Sequence, residues 1–121
     1  MVQSEAPAGQ IVFGNLVINP RTYGVSVSDR EVELTYSEFE VLKRLCMEPD
    51  SIIGYDTLCR TVWDSAGHKE KRRLNVAICR IRSKLAGSRP YKVETVRGRG
   101  YGFIASRTYP AAVQQLEGGS P

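Results

Sequence analysis

Between Lys71 and Leu85, the residues Leu74, Ile78, Ile81 and Leu85 recur at i, i+4, i+7 and i+11, the spacing of a single stripe on an α-helix. Such a stripe has to be buried, so the rest of the chain must fold around this segment. At about 100° per residue the opposite face collects Arg72, Asn75, Val76, Cys79, Arg80 and Ser83, with Arg73 and Arg82 on its flanks. Exposed helix surfaces ordinarily mix signs, yet no acidic residue follows Glu70 within this one. Ala86-Gly87-Ser88-Arg89-Pro90 then stops it.

The charge distribution extends that one-sided pattern. Residues 1–50 carry eight acidic and four basic side chains, and residues 51–121 carry five acidic and thirteen basic. Within 69–99 there are eleven basic and two acidic side chains. An acidic supporting half and a basic half suited to a polyanion are implied.

Ahead of the basic helix, Ile11-Val12-Phe13, Leu16-Val17-Ile18, Val25-Ser26-Val27 and Val32-Glu33-Leu34 read as short strands. Gly14-Asn15, Asn19-Pro20 and Ser28-Asp29 separate them as turns, predicting a four-stranded antiparallel sheet. Thr35-Tyr36-Ser37-Glu38 is a capping box that opens a first helix, with Phe39, Leu42, Leu45 and Cys46 on one face and Glu48-Pro49 at its end. A second helix is expected from about Tyr55 to Trp63, burying Leu58 and Val62, and Asp64 to His68 reads as a loop. Beyond the third helix, Lys92–Val96 and Tyr101–Ile104 read as strands joined by Arg97-Gly98-Arg99-Gly100, a hairpin tip with two arginines set between glycines. Residues 1–9 are expected to be a flexible leader, 10–105 one domain, and 106–121 a flexible tail in which AAVQQLE is able to form a short helix.

A basic helix followed by an arginine-tipped hairpin suits two adjacent grooves of duplex DNA, the major groove taking the helix and the narrower minor groove attracting arginine. Asn75 is suited to adenine and Arg80 to guanine. Arg72, Arg73 and Arg82 are suited to phosphates, which give affinity without sequence information.

The stretches TYSEFEVLKRL, LCRTVW, RRLNVAICRIRSKL and VETVRGRGYGF together resemble the effector domain of OmpR/PhoB-type response regulators, over about residues 10–105. The resemblance implies an α+β winged helix-turn-helix: an N-terminal four-stranded antiparallel sheet, three helices and a C-terminal β-hairpin wing. It implies double-stranded DNA as partner and transcriptional regulation as function, with the third helix in the major groove and Arg97 of the wing in the minor groove. By position, Asn75 and Arg80 fall where that family contacts bases. Trp63, Arg72, Arg82, Thr95 and Tyr101 fall where it contacts the backbone. Val76, Cys79 and Arg99 complete the expected surface. The family often has Asp where Asn75 stands, His at Ala77 and a basic residue at Cys79, so the resemblance does not carry an operator sequence. Because that family uses the corresponding loop so, loop 64–69 is expected to contact RNA polymerase or remain free, and a homodimer on repeated half-sites is a further expected partner. Members normally carry a receiver domain of ~120 residues ahead of this module. Residues 1–10 hold none, so either a single-domain regulator or a fragment is expected.

Other chemistries find little support in the sequence. One histidine, no G-x-S-x-G and no metal-ligand spacing argue against an enzyme, a metal or a cofactor. Cys46, Cys59 and Cys79 form no C-x-x-C pair and read as free thiols, with Cys79 a small groove-fitting residue rather than a redox switch. No apolar run approaches the ~20 residues that cross a bilayer, and the first ten residues do not read as a signal peptide, so the cytoplasm is expected. The alternative function is a winged helix that serves as a protein adaptor on the transcription machinery. Such an adaptor should expose large apolar residues where this helix offers only Val76 and Cys79.

Overall fold

A computed structural model of the protein describes residues 9–105. The expected tail, and all of the leader but Gly9, lie outside the described residues. Strands β1 (Ile11–Phe13), β2 (Leu16–Asn19), β3 (Gly24–Val27) and β4 (Arg30–Val32) form an antiparallel sheet in sequence order. Alternation puts Leu16, Ile18, Val25 and Val27 on one face, each at most 5% exposed. The turn after β3 corrects an expectation. Ser28 and Asp29 both adopt positive φ, 51° and 66°, and Val27 pairs directly with Arg30. A two-residue turn of that kind continues the strand twist, so β4 begins at once and ends at Val32 instead of running to Leu34.

Helix α1 (Tyr36–Cys46) starts at the capping box that the sequence announces. The Glu38 N–H donates to Thr35 Oγ1 at 3.2 Å, and the Thr35 N–H donates to Glu38 Oε1 at 3.0 Å. Phe39, Leu42, Leu45 and Cys46 are buried as their spacing requires, and Val41 joins them. Strand β5 (Ile52–Gly54) follows, an element the sequence reading missed. Helix α2 (Tyr55–Trp63) has the expected bounds. Leu58 is fully buried, whereas Val62 is only partly so.

Helix α3 (His68–Lys84) begins earlier than Lys71. The Gly67 N–H donates to Glu70 Oε1 at 3.0 Å, so this carboxylate satisfies a donor at the helix start. The expected loop 64–69 is therefore shortened to 64–67, with His68 and Lys69 in the first turn of α3. Strands β6 (Tyr91–Val96) and β7 (Gly100–Ala105) make the C-terminal hairpin, and β5 joins it to give a three-stranded sheet of order β5-β7-β6. The wing is thus more than a hairpin. A Cβ on Gly100 would overlap the Ile53 carbonyl oxygen, so β5 approaches this closely only because position 100 is glycine.

One core joins both sheets and the three helices. Phe13 of β1 meets Tyr91 of β6 and Phe103 of β7 edge-on, at ring separations of 5.1 and 5.0 Å. Beside them Asn15 ties the β1–β2 turn to the segment leaving α3. Its Nδ2 donates to Gly87 O at 2.9 Å, its Oδ1 accepts from the Arg89 N–H at 2.7 Å, and its own N–H donates to Arg89 O at 3.0 Å. The exit of α3 is therefore fixed to the N-terminal sheet.

Candidate nucleic-acid interface

Helix α3 owes its placement to the stripe that opened the sequence reading. Leu74, Ile78, Ile81 and Leu85 are at most 5% exposed, which turns the opposite face outward. Arg72, Arg73, Asn75, Val76, Cys79, Arg80 and Arg82 are all exposed on α3. The buried Glu38 carboxylate of α1 also accepts a hydrogen bond from Lys84 Nζ at 2.7 Å, which locks the far end of α3 against the start of α1. Burial acts to raise the Glu38 pKa, but the Lys84 ammonium and the Thr35 N–H outweigh it and hold the carboxyl below its ordinary value.

A groove of about 600 Å³ runs between α3 and the beginning of α1. Thr35, the cap of α1, and Ser37 in its first turn line it on one side, with Trp63 from the end of α2 and Lys69, Arg72, Arg73, Val76 and Arg80 from α3. Glu38 is the only acid in its walls, and that carboxylate is engaged by Lys84 and Thr35. Among the described residues Lys71 pairs with Asp56 at 3.1 Å, while Lys69, Arg72, Arg73 and Arg80 take part in no ion pair. An open groove lined by cations without internal partners attracts anions. Lys69, Thr35 and Ser37 were not anticipated. The Glu70 cap that draws residue 69 into the helix was the signal available for Lys69.

The remaining expected residues lie on the wing. Thr95 and Tyr101 face each other across β6 and β7, and Val96 pairs with Gly100, leaving Arg97, Gly98 and Arg99 as the turn. Arg97 and Arg99 are exposed, whereas Tyr101 is 6% exposed, with its ring edge-on to Tyr55 at 5.5 Å. Burial pushes the Tyr101 hydroxyl pKa up. Arg82 does not stand free. Its Nε donates to Val93 O at 3.0 Å and its Nη2 to the Thr95 hydroxyl, which fastens the base of the wing to α3. At the tip the Gly98 N–H donates to the Tyr55 hydroxyl at 3.2 Å.

The cysteines are all free. Cys46 and Cys59 are buried, which pushes both thiols above their ordinary pKa, and Cys79 is exposed among the α3 residues. No helix among the described residues is long and apolar enough to cross a membrane.

Sheet, three helices and a three-stranded wing in this order define a winged-helix domain. The family model for the C-terminal region of transcriptional regulatory proteins matches residues 29–103, and the chain belongs to that family, the OmpR/PhoB-type effector domains. It is similar to the transcriptional regulatory protein RstA of Escherichia coli K12, 32% identical over 102 residues that cover 83% of this chain and 43% of RstA. It therefore spans less than half the length of such curated relatives. Among solved structures it is similar to the Klebsiella pneumoniae RstA DNA-binding domain in complex with the RstA box, with a TM-score of 0.69 and 33% identity, covering 78% of this chain and 96% of that one. It is also similar to the Thermotoga maritima response regulator DrrB, an OmpR/PhoB homologue, with a TM-score of 0.70 and 27% identity, covering 80% of this chain and 45% of that one.

Proposed function

We propose that this chain is the sequence-specific double-stranded DNA-binding module of a transcriptional regulator and has no catalytic role. The observation that carries the reading is the exposed basic face of α3 with the cation-lined groove beside it. A wing with two exposed arginines is tied to the same helix through Arg82. In this reading α3 enters the major groove, where Asn75 and Arg80 face bases and Val76 and Cys79 lie among them. Trp63, Lys69, Arg72, Arg73 and Thr95 serve the phosphates, with the Tyr101 ring supporting them from beneath. Arg97 reaches the minor groove, and Arg99 stays nearer the phosphate wall. Arg82 acts by holding the wing to α3 more than by touching phosphate itself. The similar RstA domain, solved in complex with the RstA box, supports DNA as the partner by its likeness.

A protein-adaptor role is disfavoured by the same face, whose one large exposed apolar side chain is Val76, at 46% exposure. The finer roles belong to the reading as well. Residues 64–67, the part of the expected loop that remains outside α3, are offered as a contact for RNA polymerase. Two copies would sit on repeated half-sites, and the cytoplasm is where such a regulator works.

A mobility-shift assay on random-sequence duplex at two salt concentrations, followed by selection of the preferred site, tests the reading. Tight, salt-sensitive binding with a recoverable motif is expected. Binding without any sequence preference would reduce the domain to a non-specific polyanion binder.

A further inference from the structure

The turn that carries Arg97 and Arg99 is held from outside the wing. The bond from Arg99 N–H to Val96 O, at 2.9 Å, closes the turn on itself but does not aim it. Arg82 fixes the base of the wing through Val93 and Thr95, well below the tip. The tip itself is reached by Tyr55, the first residue of α2, whose hydroxyl accepts the Gly98 N–H at 3.2 Å. The same ring packs edge-on against Tyr101 on β7 and is half-buried against the core, so its position is set by packing and not by the turn. Helix α2 packs in turn on α3. Through Tyr55, then, the wing tip is fixed relative to the helices that present the α3 face.

We propose that Tyr55 is a positioning residue for the wing, aiming Arg97 and Arg99 by holding the Gly98 amide; this role rests on the DNA-binding reading above. Gly98 sits at φ 79°, in the region that glycine enters freely, and has no atom within 4 Å of where a Cβ would lie. A tip so lightly packed would have to be ordered on the DNA, and ordering it there weakens binding. A hydroxyl that orders it beforehand removes that cost. From local pattern Tyr55 only starts a helix, because its partner is a backbone amide far along the chain.

Tyr55→Phe keeps the ring against Tyr101 and deletes only the acceptor. Affinity is to be measured on duplexes flanked by an A-tract and by G·C pairs. The chains are the wild type, Tyr55→Phe, a chain carrying Arg97→Ala with Arg99→Ala, and the combination of all three changes. A single modest hydrogen bond corresponds to a loss of about fivefold for Tyr55→Phe on the A-tract duplex. No further loss is expected once both wing arginines are gone. Gly98 amide exchange, read by NMR without DNA, should quicken, with a melting temperature lower by only a few degrees. Unchanged affinity, unchanged Gly98 exchange, or the same fivefold loss in the chain without wing arginines overturns the role. A wild-type chain that binds neither duplex would overturn the DNA-binding reading itself, with the Gly98 exchange rate still deciding whether Tyr55 holds the tip.

Discussion

Asn75, Arg80 and Arg72 are all exposed on α3, yet their chemistry separates what each can contribute. An amide or a guanidinium that meets a base edge with two hydrogen bonds discriminates among bases, whereas a guanidinium on phosphate does not. Arg80→Ala and Asn75→Ala should each weaken binding to the preferred site by about 1–3 kcal/mol and relax the choice of base at one position. Arg72→Ala should weaken all sequences alike. Selection of binding sites from a random pool by each variant checks this, and an unaltered motif for Arg80→Ala would mean α3 is rotated relative to this assignment. Glu38 makes a prediction about stability. Its carboxyl titrates below the ordinary value in the folded chain. The stability it adds is therefore present above the unfolded-state value of about 4.3 and is lost as pH falls through the folded-state value. Glu38→Gln should lower stability at pH 7 by about 1 kcal/mol, and urea melts at successively lower pH should show that difference shrinking. This residue was half legible. Thr35 three places ahead announced the capping box, but no local pattern announces a lysine on another helix.

Glycine spacing in the wing separates two effects that look alike in sequence. Gly98 has open space where a Cβ would go but lies at positive φ, while Gly100 has the Ile53 carbonyl oxygen in that space. Gly98→Ala should cost about 1 kcal/mol from backbone strain alone. Gly100→Ala should cost about 3 kcal/mol, because β5 must move away. Thermal melts compare them, and equal costs would mean that β5 does not press on β7. The element that makes the difference, β5, escaped the sequence reading for a physical reason. Its apolar run is only Ile52-Ile53, too short to show any period, and the Pro49-Asp50-Ser51 before it and Gly54 after it let the whole stretch read as a loop between two helices. Helix α2, by contrast, was legible to the residue, and so were the hairpin strands to within a residue or two at their ends. The start of α3 was misplaced because Gly67 and His68 read as loop, although Glu70 stands at capping distance. Of the candidate interface, the exposure of the α3 face and of the wing arginines was legible from periodicity and glycine punctuation. The groove was not, since it depends on how α1 and α2 lean on α3.

At the scale of the molecule, the acidic and basic halves of the sequence become a sheet-and-α1 support and an α3-and-wing surface. If about six basic groups reach phosphates, log K should fall against log salt with a slope near −5. Titrations from low to moderate salt measure it, and a flat response would remove the electrostatic basis of the reading. The single core and the Asn15 linkage mean that sheet, helices and wing should melt together, in one transition. The order β5-β7-β6 has a further consequence, which concerns time. Ile52 pairs with Gly102 and Gly54 with Gly100, so β5 is synthesised well before the strand that will cover it. On the ribosome, where the chain emerges from its N-terminus, all three helices leave the tunnel while β5 still presents bare backbone groups and two adjacent isoleucines. The nascent domain thus acquires α3 before its wing is complete, and the β5 edge stays open until β7 arrives.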